Sequence, residues 1–303
     1  MFEKLSKNAQ TAATVAALAG ASFGAEGKAD ASLIRDINND PQHQLLGSNY
    51  LVGGSALAAT GGGTVSFRVN VPGVGTGQRN ASAILLNDSY AITAYHNVAD
   101  LLQYNPTFEI ATGPNYLNNR GTVRSIAEII PYPGGGFNDP SLPDVCILRL
   151  AEPLTGVQAA VFGSVNVGDF CVGAGFGRHG SPATGLLPRD GNVRGFFAPL
   201  LGPSTTPYNP NFYSSTDFDP IVANPLNGKP MSGDSGGGVY TLDGRLAGMW
   251  VGGTTGTAAS GTGVYLRFDG EVGSYIQNTI PSPGAAVTLL VGAVFGISAR
   301  RRR

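Results

Sequence analysis

The chain has 303 residues, 45 of them glycine and 20 proline, with 42% hydrophobic and only 13% charged side chains. This length suits one double-layered domain plus processing segments, and a formal net charge of −1 leaves little room for a protein that holds nucleic acid phosphates. Few stretches sustain a 3.6-residue apolar period and no repeat of fixed spacing occurs, so mainly helical and solenoid architectures are disfavoured.

Residues 1–31 open with Lys4 and Lys7 and pass into an alanine-rich apolar run from Ala9 to Ala25. A basic start followed by small apolar residues predicts an export signal, cut by a signal peptidase near Ala25 or after Ala31. Residues 32–50 read as an N-terminal extension or pro-segment, and His43 in the polar stretch "NNDPQHQ" is expected to be solvated. From residue 51 onward, short runs rich in Val, Ile, Tyr and Phe recur between Gly, Pro, Asn and Asp clusters, which reads as all-β.

The stretch "ASAILLNDSYAITAYHNVAD" holds two such runs around an Asn87-Asp88 turn, and His96 falls where the second ends and a helical turn begins. A strand end on a rigid sheet can hold a reactive side chain accurately. In "SLPDVCILRLAEPL", Asp144 directly precedes the apolar run Val145 to Leu148, so its carboxylate is expected at the edge of the core, shielded enough to accept a histidine N–H; Asp139 is a rival. Cys146 and Cys171 lie inside apolar runs and are expected as buried thiols rather than a disulfide. His179, in "GRHGSP", is expected to be solvated, and no Cys and His spacing suggests a metal site or cofactor.

"KPMSGDSGGGVY", residues 229–240, sets Ser235 among glycines directly after Asp234. A serine hydroxyl is a weak nucleophile until a base takes its proton and a third group orients that base, so Ser235 calls for His96 and Asp144. The flanking glycines allow turns that bring the N–H groups of Gly233 and Ser235 toward one point. The chain ends in "IPSPGAAVTLLVGAVFGISARRRR", where a Pro-Ser-Pro break precedes an uncharged stretch and four arginines. Such a segment faces a membrane, with its basic end held in the cytoplasm. Without both ends the chain keeps twelve basic against seventeen acidic side chains, a net charge of −5.

"AITAYHNV", "DVCILRL" and "SGDSGGGV" together resemble the three motifs of the chymotrypsin/trypsin-like serine proteases, in the order His, Asp, Ser and with separations of 48 and 91 residues. The resemblance covers about residues 51–278. It implies two antiparallel Greek-key β-barrels with the active site between them and a short C-terminal helix. "CVGAGFG" (171–177) looks like the run that opens the second barrel, and "GVYL" (263–266) like its late strand.

The resemblance further implies His96, Asp144 and Ser235 as catalytic residues, Gly233 and Ser235 as the oxyanion hole, and a protein or peptide as substrate. Its specificity pocket has Lys229 at the floor and Val251, Gly253 and Gly263 as walls. A buried Lys229 would favour acidic side chains, whereas a solvent-facing one would not. By the same resemblance Asp234 pairs with a new N-terminus, for which Leu51 in "LVGG" is a candidate; an edge-strand start is the alternative reading of that stretch. The C-terminal segment, 279–303, resembles a PEP-CTERM sorting signal, which implies an exosortase-type partner, with Ser282 in place of the usual glutamate. A non-catalytic surface binding module and an esterase are the competing functions.

Overall fold

The computed structural model describes residues 32–34, 36–72, 78–136, 139–205, 207–217, 224–253 and 262–281. The export signal expected over 1–31 and nearly all of the expected sorting segment lie outside these residues. Among the described residues no helix is long and apolar enough to cross a membrane.

The strands are β1 (Ser32–Ile34), β2 (Gly63–Asn70), β3 (Gln78–Leu85), β4 (Tyr90–Thr93), β5 (Thr107–Ala111), β6 (Val123–Pro131), β7 (Cys146–Leu150), β8 (Phe170–Gly175), β9 (His179–Ser181), β10 (Gly185–Leu186), β11 (Arg194–Pro203), β12 (Tyr213–Asp217), β13 (Gly228–Lys229), β14 (Gly238–Tyr240), β15 (Leu246–Gly253) and β16 (Thr262–Arg267). They build two closed six-stranded antiparallel barrels, ordered β2-β3-β4-β7-β6-β5 and β11-β12-β16-β15-β14-β8. A small third sheet runs β10-β9-β1-β13. The all-β, two-barrel expectation holds, down to "CVGAGFG" opening the second barrel and "GVYL" lying in β16.

Alternation along each strand explains how one chain fills both barrels and the seam between them. Val65, Phe67, Val69, Ala83, Leu85, Ala91 and Leu148 point into the first barrel. Their neighbours Ile84, Ile92 and Ile147 point the other way and pack with Val172, Ala174, Met249 and Leu266 of the second barrel. With a side-chain period of two, the same short runs line a barrel and seal it to its partner. The second barrel closes around Cys171, Phe196, Val239, Trp250 and Tyr265. Both cysteines are free and buried, one in each barrel core, as expected of thiols. Burial pushes the Cys171 thiol up to about 12 and the Cys146 thiol further, so neither ionises near neutrality.

The described residues of 32–50 pack against the second barrel through the small third sheet and a helix. β1 pairs antiparallel with β13, Leu33 opposite Lys229, and parallel with β9, Ser32 opposite His179. The helix Asp40–Asn49, with Pro41 in its first turn, packs on β11. Here two expectations are corrected: His43 is 0% and His179 only 7% exposed. His43 is buried because its Nδ1–H donates to the Gly195 carbonyl at 2.7 Å. His179 lies on β9, the neighbour of β1 in the small sheet, with its Nδ1 3.9 Å from Asp190 Oδ1 at the edge of a charge cluster.

That cluster centres on Arg194, 1% exposed, whose guanidinium donates to both carboxylate oxygens of Asp40 (2.5 and 2.9 Å) and of Asp190 (2.9 and 2.7 Å). Asp40, His179 and Asp190 lie close enough to one another to hold a cation, but the guanidinium already supplies the positive charge there.

Burial alone would raise the Asp40 carboxyl, yet Arg194 overcomes it and holds the group below its ordinary 3.8. Burial lowers His43 and His179 below their ordinary 6.5. The neutral imidazoles therefore stabilise the fold above 6.5 and lose that contribution as the pH falls below it. The Asp40 contribution, present above 3.8, is lost at still lower pH. Urea unfolding should give a midpoint that is flat above neutrality and falls as the pH drops below 6.5, with hydrogen exchange over 40–49 rising first. Arg194→Ala, which strands two carboxylates, should cost about 3 to 5 kcal/mol in the same measurement.

Candidate active site

Three segments meet between the barrels. β4 ends at Thr93, and the short 3-10 turn Tyr95–Asn97 carries His96. The hairpin expected around Asn87-Asp88 joins β3 to β4, with Asn87 Oδ1 accepting the N–H groups of Ser89 and Tyr90. Asp144 sits just ahead of β7, which pairs with β4 so that Thr93 lies opposite Cys146. That register sets the Asp144 loop against the His96 turn.

Asp144 uses both carboxylate oxygens on His96. Oδ1 accepts the backbone N–H at 2.9 Å, and Oδ2 lies 2.5 Å from the ring Nδ1. The ring bond puts the proton on Nδ1 and the lone pair on Nε2, the atom turned away from the aspartate. The backbone bond holds the other carboxylate oxygen, so the group is anchored at two points. Asp139 is not brought to the histidine; its Oδ1 accepts the hydroxyl and amide of Ser141 instead.

Tyr213 of the second barrel, which sequence gave no reason to notice, braces the aspartate. Its hydroxyl accepts the Asp144 N–H at 2.9 Å and donates to the Leu142 carbonyl at 2.6 Å. Burial, and then the charge of Asp144, push the phenol pKa well up, so the proton needed for that donation stays in place.

Ser235 belongs to the second barrel, but its carbonyl accepts from Ser82 N of β3 at 3.1 Å and from Asn97 Nδ2, next to His96, at 3.0 Å. The serine is thereby tied to the histidine turn. The loop before it turns at Gly233, where φ is +99°. Among the described residues, the N–H groups of Gly233 and Ser235 have no hydrogen-bond acceptor. Both are the donors expected at the oxyanion hole.

Asp234 is 0% exposed and accepts the N–H of Gly177 at 2.8 Å and of Met231 at 3.0 Å. Gly177 is required: a Cβ there would stand 2.6 Å from the carboxylate carbon. Leu51 is buried with Tyr116, Phe176 and Val193, and its amide donates to the Ser48 carbonyl at 3.3 Å.

Of the pocket residues, Gly253 lies opposite Gly263 across β15 and β16, with a bulge at Val251 between Trp250 and Gly252. The ring of Pro230 covers Gly263, 2.5 Å from where a Cβ would be. Lys229, next to that proline, is 4% exposed in β13, which pairs with β1.

The trypsin family model matches residues 59–273. Among solved structures, one described as the structure of GrC is 19% identical with a TM-score of 0.55, covering 71% of this chain and 92% of its own. A scabies mite inactivated protease paralogue, S-I1, is 17% identical with a TM-score of 0.52, covering 71% and 93%. A search of curated proteins finds no match.

Tyr213→Phe deletes one hydroxyl and leaves the Asp144 N–H and Leu142 carbonyl unmatched. It should lower stability by about 1 to 3 kcal/mol in urea unfolding, with the m-value unchanged.

Proposed function

The chain belongs to the trypsin family, and from that membership we propose that it is a serine endopeptidase whose triad is Ser235, His96 and Asp144. The observation that carries this reading is the two-oxygen hold of Asp144 on His96, at 2.9 and 2.5 Å, beside a serine whose backbone is bonded to the same turn. Ser235 Oγ attacks the scissile carbonyl while His96 Nε2 takes its proton. The imidazolium that forms is stabilised by Asp144, and the N–H groups of Gly233 and Ser235 stabilise the oxyanion. His96 then returns the proton to the leaving amine, and water, activated by the same imidazole, releases the acyl group. An amide is preferred to an ester as substrate through family membership, since the nucleophile alone does not choose.

The primary pocket is proposed to favour acidic side chains. Its support is the burial of Lys229 behind Pro230, with glycines 253 and 263 as low walls; an ammonium at that depth attracts a carboxylate and repels Arg and Lys. Export through a signal cut near residue 31, with a sorting segment at the far end, completes the proposal. It would place the peptidase outside the cytoplasmic membrane.

Wild-type protein should label at Ser235 with a fluorophosphonate and cleave casein. Ser235→Ala should lose about a millionfold in kcat, and an unlabelled serine or an undiminished variant refutes the assignment. In a peptide library, cleavage should follow Glu and Asp. The pocket reading fails if Lys229→Ala leaves the profile unaltered.

A further inference from the structure

The peptidase reading above needs two N–H groups aimed at one oxygen, and the inference drawn here rests on that reading. In a planar trans peptide the C=O and N–H point in opposite directions, so whatever holds the carbonyl of one residue aims the N–H of the next. The N–H of Gly233 is therefore aimed by the partners of the Ser232 carbonyl. These are the backbone N–H of Arg178 at 3.1 Å and Nη2 of Arg189 at 3.3 Å. The N–H of Ser235 is aimed in the same way, because the Asp234 carbonyl accepts from Gly237 N at 2.7 Å.

Arg189 does more than add one donor. Its Nη1 donates to the Asn80 carbonyl of β3 at 3.1 Å, so the guanidinium spans from the first barrel to the nucleophile loop. The planar fork fixes the angle between its two bonds, which a single ammonium does not do. On the other side of Gly233, its own carbonyl accepts from Ser82 Oγ at 2.8 Å, and that hydroxyl is itself oriented by the N–H of Phe176 at 2.9 Å. Both peptides that flank the Gly233 Cα are thus held, one by Arg178 and Arg189 and the other by Ser82 of the first barrel. The backbone there has a φ of +99°, and an added Cβ would stand 2.7 Å from Arg189 Nη1. Rotation of the Ser232–Gly233 peptide would turn the donor away and point a carbonyl at the oxyanion.

We propose that Arg189 and Ser82 are positioning residues that preset the oxyanion hole by holding the carbonyls on either side of the Gly233 N–H. Neither touches the reacting carbonyl. With either side chain removed, the rotated peptide becomes accessible and transition-state binding weakens while ground-state binding does not.

The test uses full chains carrying Arg189→Ala, Arg189→Lys or Ser82→Ala beside wild type, assayed on a peptide p-nitroanilide cleaved by the wild type. Arg189→Ala and Ser82→Ala should each lower kcat by about 10- to 100-fold with KM within about twofold. A peptide aldehyde, whose adduct needs the hole, should lose affinity in the same proportion, whereas the product peptide acid should bind as before. Arg189→Lys should recover part of the loss. The inference is overturned if the two alanine variants, folded by thermal unfolding, keep wild-type kcat and aldehyde affinity, or if their loss falls in KM. Should Arg189→Ala not fold, Ser82→Ala alone decides. A wild type that fluorophosphonate does not label at Ser235 refutes the peptidase reading itself, which separates that failure from an undiminished variant.

Discussion

Ser235 rides on one barrel and is bonded directly to the other. Its carbonyl is held by Ser82 N and Asn97 Nδ2, and the carbonyl two residues before it by Ser82 Oγ; all of these groups belong to the first barrel, as do His96 and Asp144. The seam between the barrels is therefore the constraint on which the site depends. Each neutral hydrogen bond contributes only about 1 kcal/mol net. Accuracy comes from several bonds sharing β3 and the His96 turn, which are themselves fixed by the Ile84, Ile92 and Ile147 face packed on the second barrel.

Buried charge supplies the second layer of specification. A carboxylate or guanidinium removed from water tolerates few arrangements, because any loss of a partner exposes the desolvation cost. Arg194 binds the helix Asp40–Asn49 to β11 in this way, through Asp40 and Asp190. The same N-terminal segment supplies β1, which pairs with β13 beside the buried Lys229. The burial of Lys229 and the anchoring of the N-terminal helix thus draw on the same short segment of chain. Asp234, inside the nucleophile motif, does the corresponding work through the N–H groups of Gly177 and Met231, drawing the start of the second barrel against the loop.

What could be read from the sequence divides along the same line. Groups whose placement depends on neighbours in the chain were legible: the hairpin at Asn87-Asp88, His96 at a strand end, Asp144 before an apolar run, Ser235 among glycines. These follow from a side-chain period of two and from local turn chemistry. Burial of His43 and His179 was not legible, because His43 bonds the Gly195 carbonyl 152 residues along the chain and His179 sits on a strand paired with β1, only three residues long. Ser82, Arg189 and Tyr213 carry no local signal at all. Their partners lie 151, 43 and 69 residues away, and a hydroxyl or guanidinium in a loop or strand looks the same whether or not such a partner exists.

This separates the reacting groups from their aim. A Gly-Asp-Ser-Gly-Gly motif allows its peptides to face the substrate, and it allows them equally to face away, since glycine lowers the barrier to both. Turning the Ser232–Gly233 peptide gives up the bonds of Arg178 N and Arg189 Nη2 to its carbonyl, and it replaces a donor by an acceptor where negative charge develops in the proposed reaction. The electrostatic term at stake, about 3 to 4 kcal/mol for one donor, exceeds the net worth of any single bond in the loop. A short motif therefore specifies which groups react. The groups that hold its carbonyls, contributed from distant parts of the chain, decide whether those N–H donors meet the oxygen.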